Sequence, residues 1–166
     1  MRIFLVRHGD ADAEVPEGLG DEARALTAKA RQQIGAHFAS VADRIGVGTV
    51  GLMLTSPLVR AVQTAQILTT ILKYEGPLRA HRSLLPDMPV GAMDAIINEH
   101  ASDDLILVGH SPSMGAMAAY LLGQQSIPKP VNPGTVIGLE RGEGTSPARL
   151  LFYAAPGQPL IEEFPP

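Results

Sequence analysis

Short apolar runs separated by polar segments divide this chain into predicted strands. Five runs have the length and composition of strands that are buried in a sheet. They cover residues 2–6, 51–55, 105–108, 135–139 and 149–153. The turn-rich segment ERGEGTSPA separates the last two runs, which predicts a C-terminal β-hairpin.

Four segments between these runs predict helices. In the first, Ile34, Phe38, Val41 and Ile45 recur at helical spacing after Thr27, which can act as the N-cap. The other three are a segment capped by Ser56 with Pro57 at its first position, the segment 90–100, and a segment that follows Ser111-Pro112 and ends near Gly123. Strands that alternate with helices indicate an α/β sheet covered on both faces. No repeat or low-complexity linker interrupts the sequence, so we expect one domain over residues 1–166.

Polar, chemistry-bearing residues follow three of the predicted strands. The first strand ends in Arg7-His8-Gly9, the second in Ser56-Pro57 with Arg60 close behind, and the third in Gly109-His110-Ser111-Pro112. Ligands of open α/β sheets bind at the carboxyl ends of the strands. If these strands are parallel, two arginines and two histidines meet at one edge of the sheet.

The composition excludes several classes of protein. The chain has 166 residues, enough to bury a hydrophobic core that is stable without disulfide bonds or structural metal ions. It contains no cysteine, so it has no disulfide and no thiolate site. A net charge of −4 and 4% aromatic residues argue against binding to nucleic acid. No apolar run approaches the ~20 residues that span a bilayer. No signal peptide is visible, so we expect a cytoplasmic protein without a membrane partner.

Two arginines and a histidine around a second histidine make a cationic pocket suited to phosphate. The planar fork of arginine binds two oxygens at once, and helix N-termini add N–H donors. Histidine can attack phosphorus and hold it as a phosphoramidate. Neighbouring positive charge lowers the pKa of His8, which favours the unprotonated nucleophile. We expect Arg7, Arg60 and a protonated His110 to stabilise the transferring group without a metal ion or cofactor.

Four motifs, LVRHGDA, LTAKARQQ, LTSPLVRAVQTA and LVGHSP, occur in this order between Met1 and about Gly123. This set resembles the histidine phosphatase superfamily, which is related to phosphoglycerate mutase. The short chain and the RHGDA opening are most similar to its SixA-type phosphohistidine phosphatases. The last forty residues match the family only loosely.

The resemblance implies a three-layer αβα fold of the phosphoglycerate mutase type, with a mostly parallel sheet. It implies that His8 accepts the phosphoryl group and that Arg7, Arg60 and His110 bind it. The partner expected from the resemblance is a phosphorylated signalling protein, such as a histidine-containing phosphotransfer domain of a phosphorelay, or a small phosphate ester. Inorganic phosphate would be the product.

Phosphohistidine and phosphate esters differ in how much their cleavage depends on a general acid. An alkoxide leaving group needs a proton from a carboxylic acid, whereas the imidazole released from phosphohistidine needs less help. The resemblance implies where to look, because larger relatives carry such an acid between the second and third strands, a stretch that here reads HRSLLPDMPVGAMDA. Asp87 is the nearest candidate in it, with Asp94 behind it, but neither lies in a clear acid motif. The loops 10–25 and 74–89 are too short for a lid domain, which favours a phosphoryl group presented on a protein surface.

Three functions therefore remain open. The leading hypothesis is a phosphohistidine phosphatase. The alternative is a phosphomonoesterase that acts on a small metabolite, with Asp87 as its acid. A non-catalytic phosphate-binding module is the third.

Other polar features have ordinary interpretations. His37, His81 and His100 lack metal-ligand spacing and are expected at the surface or at helix ends. The acidic residues between positions 10 and 22 predict a solvated loop, or a surface that steers a basic protein substrate. The sequence G-x-G-x-x-G at 46–51 follows a helix and opens a strand, so we interpret it as a turn and not as a dinucleotide site.

Overall fold

A computed structural model describes residues 1–144 and 146–166 and places one sheet at the centre of the fold. Its strands are β1 (Arg2–Arg7), β2 (Val50–Thr55), β3 (Leu78–Ala80), β4 (Asp104–Gly109), β5 (Val136–Glu140) and β6 (Arg149–Ala154). They are arranged in the order β3-β2-β4-β1-β5-β6. The first four are parallel, whereas β5 runs antiparallel to β1, and β6 antiparallel to β5. The predicted mostly parallel sheet with a C-terminal hairpin is confirmed.

Strand β3 was absent from the sequence prediction. It has only three residues, two of them exposed, and it lies at the edge of the sheet beside β2. A short edge strand that carries a charged residue, here Arg79, gives almost no periodic signal, because its pairing comes from the neighbouring strand.

Four helices cover the sheet, with short 3-10 turns between them. They are α1 (Ala28–Ile45), α2 (Val59–Leu72), α3 (Val90–Glu99) and α4 (Ser113–Leu121). Thr27 caps α1 as predicted, since its hydroxyl oxygen accepts a hydrogen bond from the Ala30 N–H at 2.9 Å. Gly46 ends α1 in the left-handed conformation, a 3-10 turn covers Val47–Thr49, and β2 begins at Val50. The segment 46–51 therefore consists of a turn that leads into a strand, as the sequence predicts.

The core lies in two layers, one on each face of the sheet. Along β1, Ile3 and Leu5 face the layer packed by α3 and α4, while Phe4 and Val6 face the layer packed by α1 and α2. This alternation is the period of a strand buried on both faces. The three-layer αβα prediction is therefore confirmed.

The prediction that Ser56 caps the second helix is wrong. Helix α2 begins at Val59 with Leu58 in the cap position, so Ser56 and Pro57 belong to the connection from β2. The Ser56 hydroxyl accepts a hydrogen bond from the Leu58 N–H at 3.3 Å, but it also contacts a histidine from another strand. As a result, Arg60 is the second residue of α2 and lies close to the end of the strand.

No helix among the described residues is both long and apolar enough to cross a membrane.

Candidate active site

The register of the sheet brings the three strand ends together. Arg7 of β1 pairs with Gly109 of β4, and Thr55 of β2 pairs with Val108. Because these strands are parallel, the residues that follow them emerge at one edge. The predicted convergence of distant segments is what the structure shows.

At this edge lies a pocket of about 280 Å³. The four predicted site residues line it, namely Arg7, His8, Arg60 and His110. Asp10 and Arg24 also line it. A larger open cleft of about 720 Å³ lies at the opposite ends of the strands, beside Met1 and Arg141, and no histidine is among its described lining residues.

His8 has one ring nitrogen engaged and the other available. Its Nδ1 lies 2.6 Å from the Gly9 carbonyl oxygen, which can only accept, so Nδ1 carries the proton and Nε2 carries the lone pair. The pKa of His8 is lowered to about 4, mainly by burial and further by Arg60, Arg7 and Arg24. The sequence anticipated the direction of this shift, but burial and not charge is its largest cause.

His110 is buried beside His8, and the ring centroids are 4.9 Å apart. Its Nε2 lies 2.7 Å from the Ser56 hydroxyl oxygen. Its Nδ1 is enclosed and has no hydrogen-bond partner among the described residues. Burial, with help from His8 and the cations, lowers the pKa of His110 to about 3. The ring is therefore neutral near pH 7 when no anion is bound. The protonated His110 expected around a transferring phosphoryl group stays a prediction.

Each arginine of the site is anchored at one end of its guanidinium group. Arg7 donates from Nη1 to the Val131 carbonyl oxygen at 2.7 Å, and Arg60 donates from Nη1 and Nη2 to Asp21, both at 3.1 Å. In both arginines Nε is buried, and no residue of the described chain accepts its hydrogen. Burial lowers the pKa of Arg7, and the charge of Asp10 opposes that shift.

Buried polar groups almost always find a partner, so a group of them without a partner in the chain marks a place where a polar ligand or water can bind. The described residues contain five such side-chain atoms, and three of them belong to this pocket. These three are Arg7 Nε, Arg60 Nε and His110 Nδ1. Nitrogens of this kind around one cavity are suited to hold an anion.

Thr64 ties the histidine loop to α2. Its hydroxyl oxygen accepts from the Gly9 N–H at 3.1 Å, and its hydroxyl donates to the Arg60 carbonyl oxygen at 2.8 Å. Thr64 is fully buried. Its place in the SPLVRAVQTA motif was visible in the sequence, but its partner 55 residues away was not.

The sequence did not predict that Asp21 and Arg24 belong to the pocket region. It indicated only that Asp21 lies in a solvated acidic loop. The Asp21 side chain is largely exposed, yet its carboxylate contacts Arg60 at 3.1 Å and Arg24 at 2.7 Å. These hydrogen bonds, that of Arg24 first, lower the pKa of Asp21. The loop is therefore solvated only in part, since its C-terminal turn forms a wall of the pocket.

The candidate acids at 87 and 94 do not line the pocket. Pro86 does line it, but Asp87 is exposed and has a left-handed backbone with a φ of 67°. Asp94 points elsewhere, because it pairs with Arg141 at 3.5 Å and accepts a hydrogen bond from the Tyr120 hydroxyl. The role of Asp87 as an acid stays a prediction that its position does not support.

The remaining histidines have structural positions. His37 Nε2 lies 3.0 Å from the Ala154 carbonyl oxygen, and the His81 side chain caps a 3-10 turn by accepting from the Ser83 N–H. Within the part of the chain that the structure describes, no three His, Asp or Glu side chains are grouped so that they could hold a metal ion.

Comparison with known proteins assigns the family. The family model of the histidine phosphatase superfamily (branch 1) matches residues 3–84. An uncharacterised protein of Picosynechococcus is 34% identical over an alignment of 155 positions, and the alignment covers 86% of this chain and 86% of that protein. The chain belongs to the histidine phosphatase superfamily, a family of phosphatases.

Solved structures show the same fold at low sequence identity. The protein histidine phosphatase SixA in complex with tungstate has a TM-score of 0.82 and 20% identity, covering 94% of this chain and 97% of that one. The α-ribazole phosphatase of Shigella flexneri has a TM-score of 0.65 and 18% identity, covering 86% of this chain and 92% of that one. Both similarities establish the phosphoglycerate mutase-like fold, and neither identifies the substrate.

Proposed function

We propose that this protein is a phosphohistidine phosphatase. In this proposal it removes a phosphoryl group from a histidine of a phosphorelay signalling protein, through a phosphohistidine intermediate on His8. The observation that carries the proposal is the free Nε2 of His8, which belongs to a pocket lined by Arg7, Arg60 and His110.

The pocket is suited to a phosphoryl dianion. The two guanidinium groups supply fixed positive charge, and the unpartnered nitrogens supply hydrogen-bond donors that a bound oxyanion would satisfy. The Ser56 hydroxyl oxygen accepts from Leu58, so its own hydrogen is free to be donated to His110 Nε2. That arrangement leaves Nδ1–H of His110 as the donor for the anion.

The first step transfers the phosphoryl group to His8. The Nε2 lone pair attacks phosphorus, the phosphorus–nitrogen bond of the substrate breaks, and the released imidazole takes a proton from solvent. A bound dianion raises the pKa of His110, because a nearby negative charge favours the imidazolium form. Arg7, Arg60 and His110 then stabilise the charge spread over the three equatorial oxygens.

The second step returns His8 to its starting form. Water attacks phosphorus, the bond between phosphorus and His8 Nε2 breaks, and inorganic phosphate leaves with the oxygen of that water. The Gly9 carbonyl oxygen holds Nδ1–H in both steps, so the nucleophilic nitrogen is the same at every turnover. In this proposal the protein needs no metal ion, since its own cations neutralise the transferring group.

The carboxylates near the pocket favour phosphohistidine over an ester. Asp87 does not line the pocket, and Asp10, the only carboxylate among the described lining residues, has its charge beside Arg7. An alkoxide leaving group requires a well-placed acid, whereas imidazole departs with a proton from solvent. We therefore propose phosphohistidine as the substrate class, because its cleavage depends least on such an acid.

The alternative, a phosphomonoesterase for a small metabolite, rests on two observations. Asp10 does line the pocket, and it could protonate an ester oxygen. The same fold also occurs in an α-ribazole phosphatase. Under this alternative, Asp10→Asn slows ester turnover sharply.

A rate comparison tests the proposal. The full chain is assayed with a phosphorylated histidine-containing phosphotransfer domain and with a panel of phosphate esters. We expect kcat/KM to favour phosphohistidine by about 100-fold, the low end of what a general acid supplies to an ester. Asp10→Asn, Asp87→Asn and the distant exposed control Asp43→Asn should all hydrolyse phosphohistidine at similar rates. Faster turnover of an ester that collapses in Asp10→Asn would establish the alternative.

A further inference from the structure

We propose that Asp21 is a positioning residue that orients Arg60, and with it Arg24, toward the bound phosphoryl group. Asp21 acts through these arginines and does not touch the reacting atoms. The inference rests on the proposed function in one respect, namely that the pocket binds a phosphoryl anion.

Asp21 holds two pocket-lining cations with two different oxygens. Its Oδ2 accepts from Arg60 Nη2 at 3.1 Å, and its Oδ1 accepts from Arg24 Nε at 2.7 Å. Its main-chain carbonyl oxygen accepts from Arg60 Nη1, also at 3.1 Å. One residue on a loop thus determines where both guanidinium groups lie.

The contacts select which edge of Arg60 remains for a ligand. Asp21 occupies the edge formed by Nη1 and Nη2, while Nε–H has no acceptor in the described part of the chain. The edge formed by Nε and Nη2 is therefore the one available for two oxygens of an anion. The main chain of Arg60 is held as well, because its carbonyl oxygen accepts the Thr64 hydroxyl. With both ends fixed, the guanidinium plane is set before the ligand arrives.

The turn that carries Asp21 is held in place independently of the ligand. The turn that carries it is tied down by Arg24, whose N–H donates to the Asp21 carbonyl oxygen and whose Nη1 donates to the Asp12 carbonyl oxygen, both at 3.1 Å. The Asp12 N–H in turn donates to the Ala25 carbonyl oxygen at 2.8 Å. An anion could replace a carboxylate oxygen, but it cannot displace the main-chain carbonyl without opening this turn.

The charge of Asp21 and its positioning role predict opposite effects on phosphate binding when the carboxylate is removed. A negative group near an anion site repels the anion, so its loss should strengthen phosphate binding if charge alone matters. Asp21 is exposed, and solvent and salt screen that repulsion. If positioning dominates, loss of the carboxylate weakens phosphate binding although the protein becomes more positive.

Calorimetric titration with inorganic phosphate at pH 7 and constant ionic strength distinguishes the effect of the Asp21 charge from its positioning effect. Glu22→Ala is the matched control, because it removes the same charge from the adjacent residue, whose carboxylate accepts from the Gly20 N–H and from no other group among the described residues. We expect Asp21→Ala to bind phosphate about tenfold more weakly, as for the loss of one charge-assisted orienting contact. Asp21→Asn, which keeps an oxygen for Arg60, should recover part of the loss, and Glu22→Ala should match the wild type.

A double-mutant cycle with Arg60→Ala shows whether Asp21 acts through Arg60. In the Arg60→Ala background, Asp21→Ala should keep only the part of its effect on phosphate affinity that acts through Arg24, whereas a general structural role would leave the full effect. If Asp21→Ala binds phosphate as tightly as the wild type or more tightly, the positioning role is overturned but the proposed function is not. The same holds if the effects of Asp21→Ala and Arg60→Ala on phosphate affinity are additive. A wild-type protein that binds no phosphate overturns the anion site and both proposals together.

Discussion

The imidazole rings of His8 and His110 meet edge to face, with centroids 4.9 Å apart and planes inclined by 63°. Each ring comes from the end of a different strand, and the strands are neighbours in the sheet. Burial is the main cause that disfavours protonation of both rings, and the arginines of the pocket and, for His110, the neighbouring His8 add to it. The pair is consequently neutral near pH 7 until an anion enters.

The histidine titrations test this electrostatic picture. The lowered pKa values predict that His8 loses its proton near pH 4 and His110 near pH 3. Inorganic phosphate should move the His110 midpoint upward, because the anion favours the charged ring. Both effects are measured by following the ring resonances in NMR titrations with and without phosphate. A His110 midpoint near its ordinary value of 6.5 in phosphate-free buffer would contradict the picture.

The same shifts predict how stability depends on pH. Both folded-state values lie below the ordinary pKa of 6.5, so between pH 6.5 and about 4 the unfolded chain binds more protons than the folded one. The free energy of unfolding therefore falls as the pH decreases through this window, and the contribution of His8 levels off below about pH 4. Urea denaturation at pH 7 and pH 5 measures this decrease in the free energy of unfolding. His8→Gln/His110→Gln should lose less stability than the wild type over this interval, and an equal loss would refute the assignment.

Ser56→Ala tests the hydroxyl that contacts His110 Nε2 at 2.7 Å. Its removal leaves a buried ring nitrogen without a partner and frees the ring to turn, so we expect kcat to fall about tenfold or more. Steady-state kinetics with a phosphohistidine substrate measure the effect. The control is Ser83→Ala, since Ser83 is a buried serine bound to His81 and makes no hydrogen bond to His110 among the described residues. Equal activity of the two variants would show that Ser56 does not orient His110.

Thr64→Val tests the link between the histidine loop and α2. The substitution keeps the shape of the side chain but leaves the buried Gly9 N–H without its acceptor, which costs about 1–3 kcal/mol of stability. We also expect kcat to fall, because the loop that carries His8 loses its tie to Arg60. The control is Thr70→Val on the same helix, whose exposed hydroxyl makes the same bond to the carbonyl four residues earlier. Chemical denaturation and kinetics should separate the two variants, and identical behaviour would contradict the proposed link.

The parts of the fold and site that follow from local pattern could be predicted. Buried strands such as Leu105–Val108 are continuous apolar runs, and the polar residue types that follow them are visible in the sequence. Because parallel strands deliver their carboxyl ends to one edge, the convergence of His8, Arg60 and His110 also followed from the alternation of strands and helices.

The parts that depend on tertiary partners could not be predicted. Local capping rules predict a helix cap at Ser56 because it precedes a proline, whereas its hydroxyl contacts a histidine 54 residues away. Asp21 contacts Arg60 across 39 residues through a loop whose path no periodicity records. The protonation of His110 depends on burial, which the order of residues does not reveal.

The most direct test of the account is to trap the phosphoryl group on His8. The protein is mixed with a phosphotransfer domain that carries ³²P-labelled phosphohistidine, quenched with alkali within the first turnover, and digested for peptide mapping. The account predicts an acid-labile, alkali-stable label on the peptide that contains His8, with neither label nor phosphate release in His8→Ala. Phosphate release by His8→Ala at the wild-type rate, or a label on another residue, would contradict it.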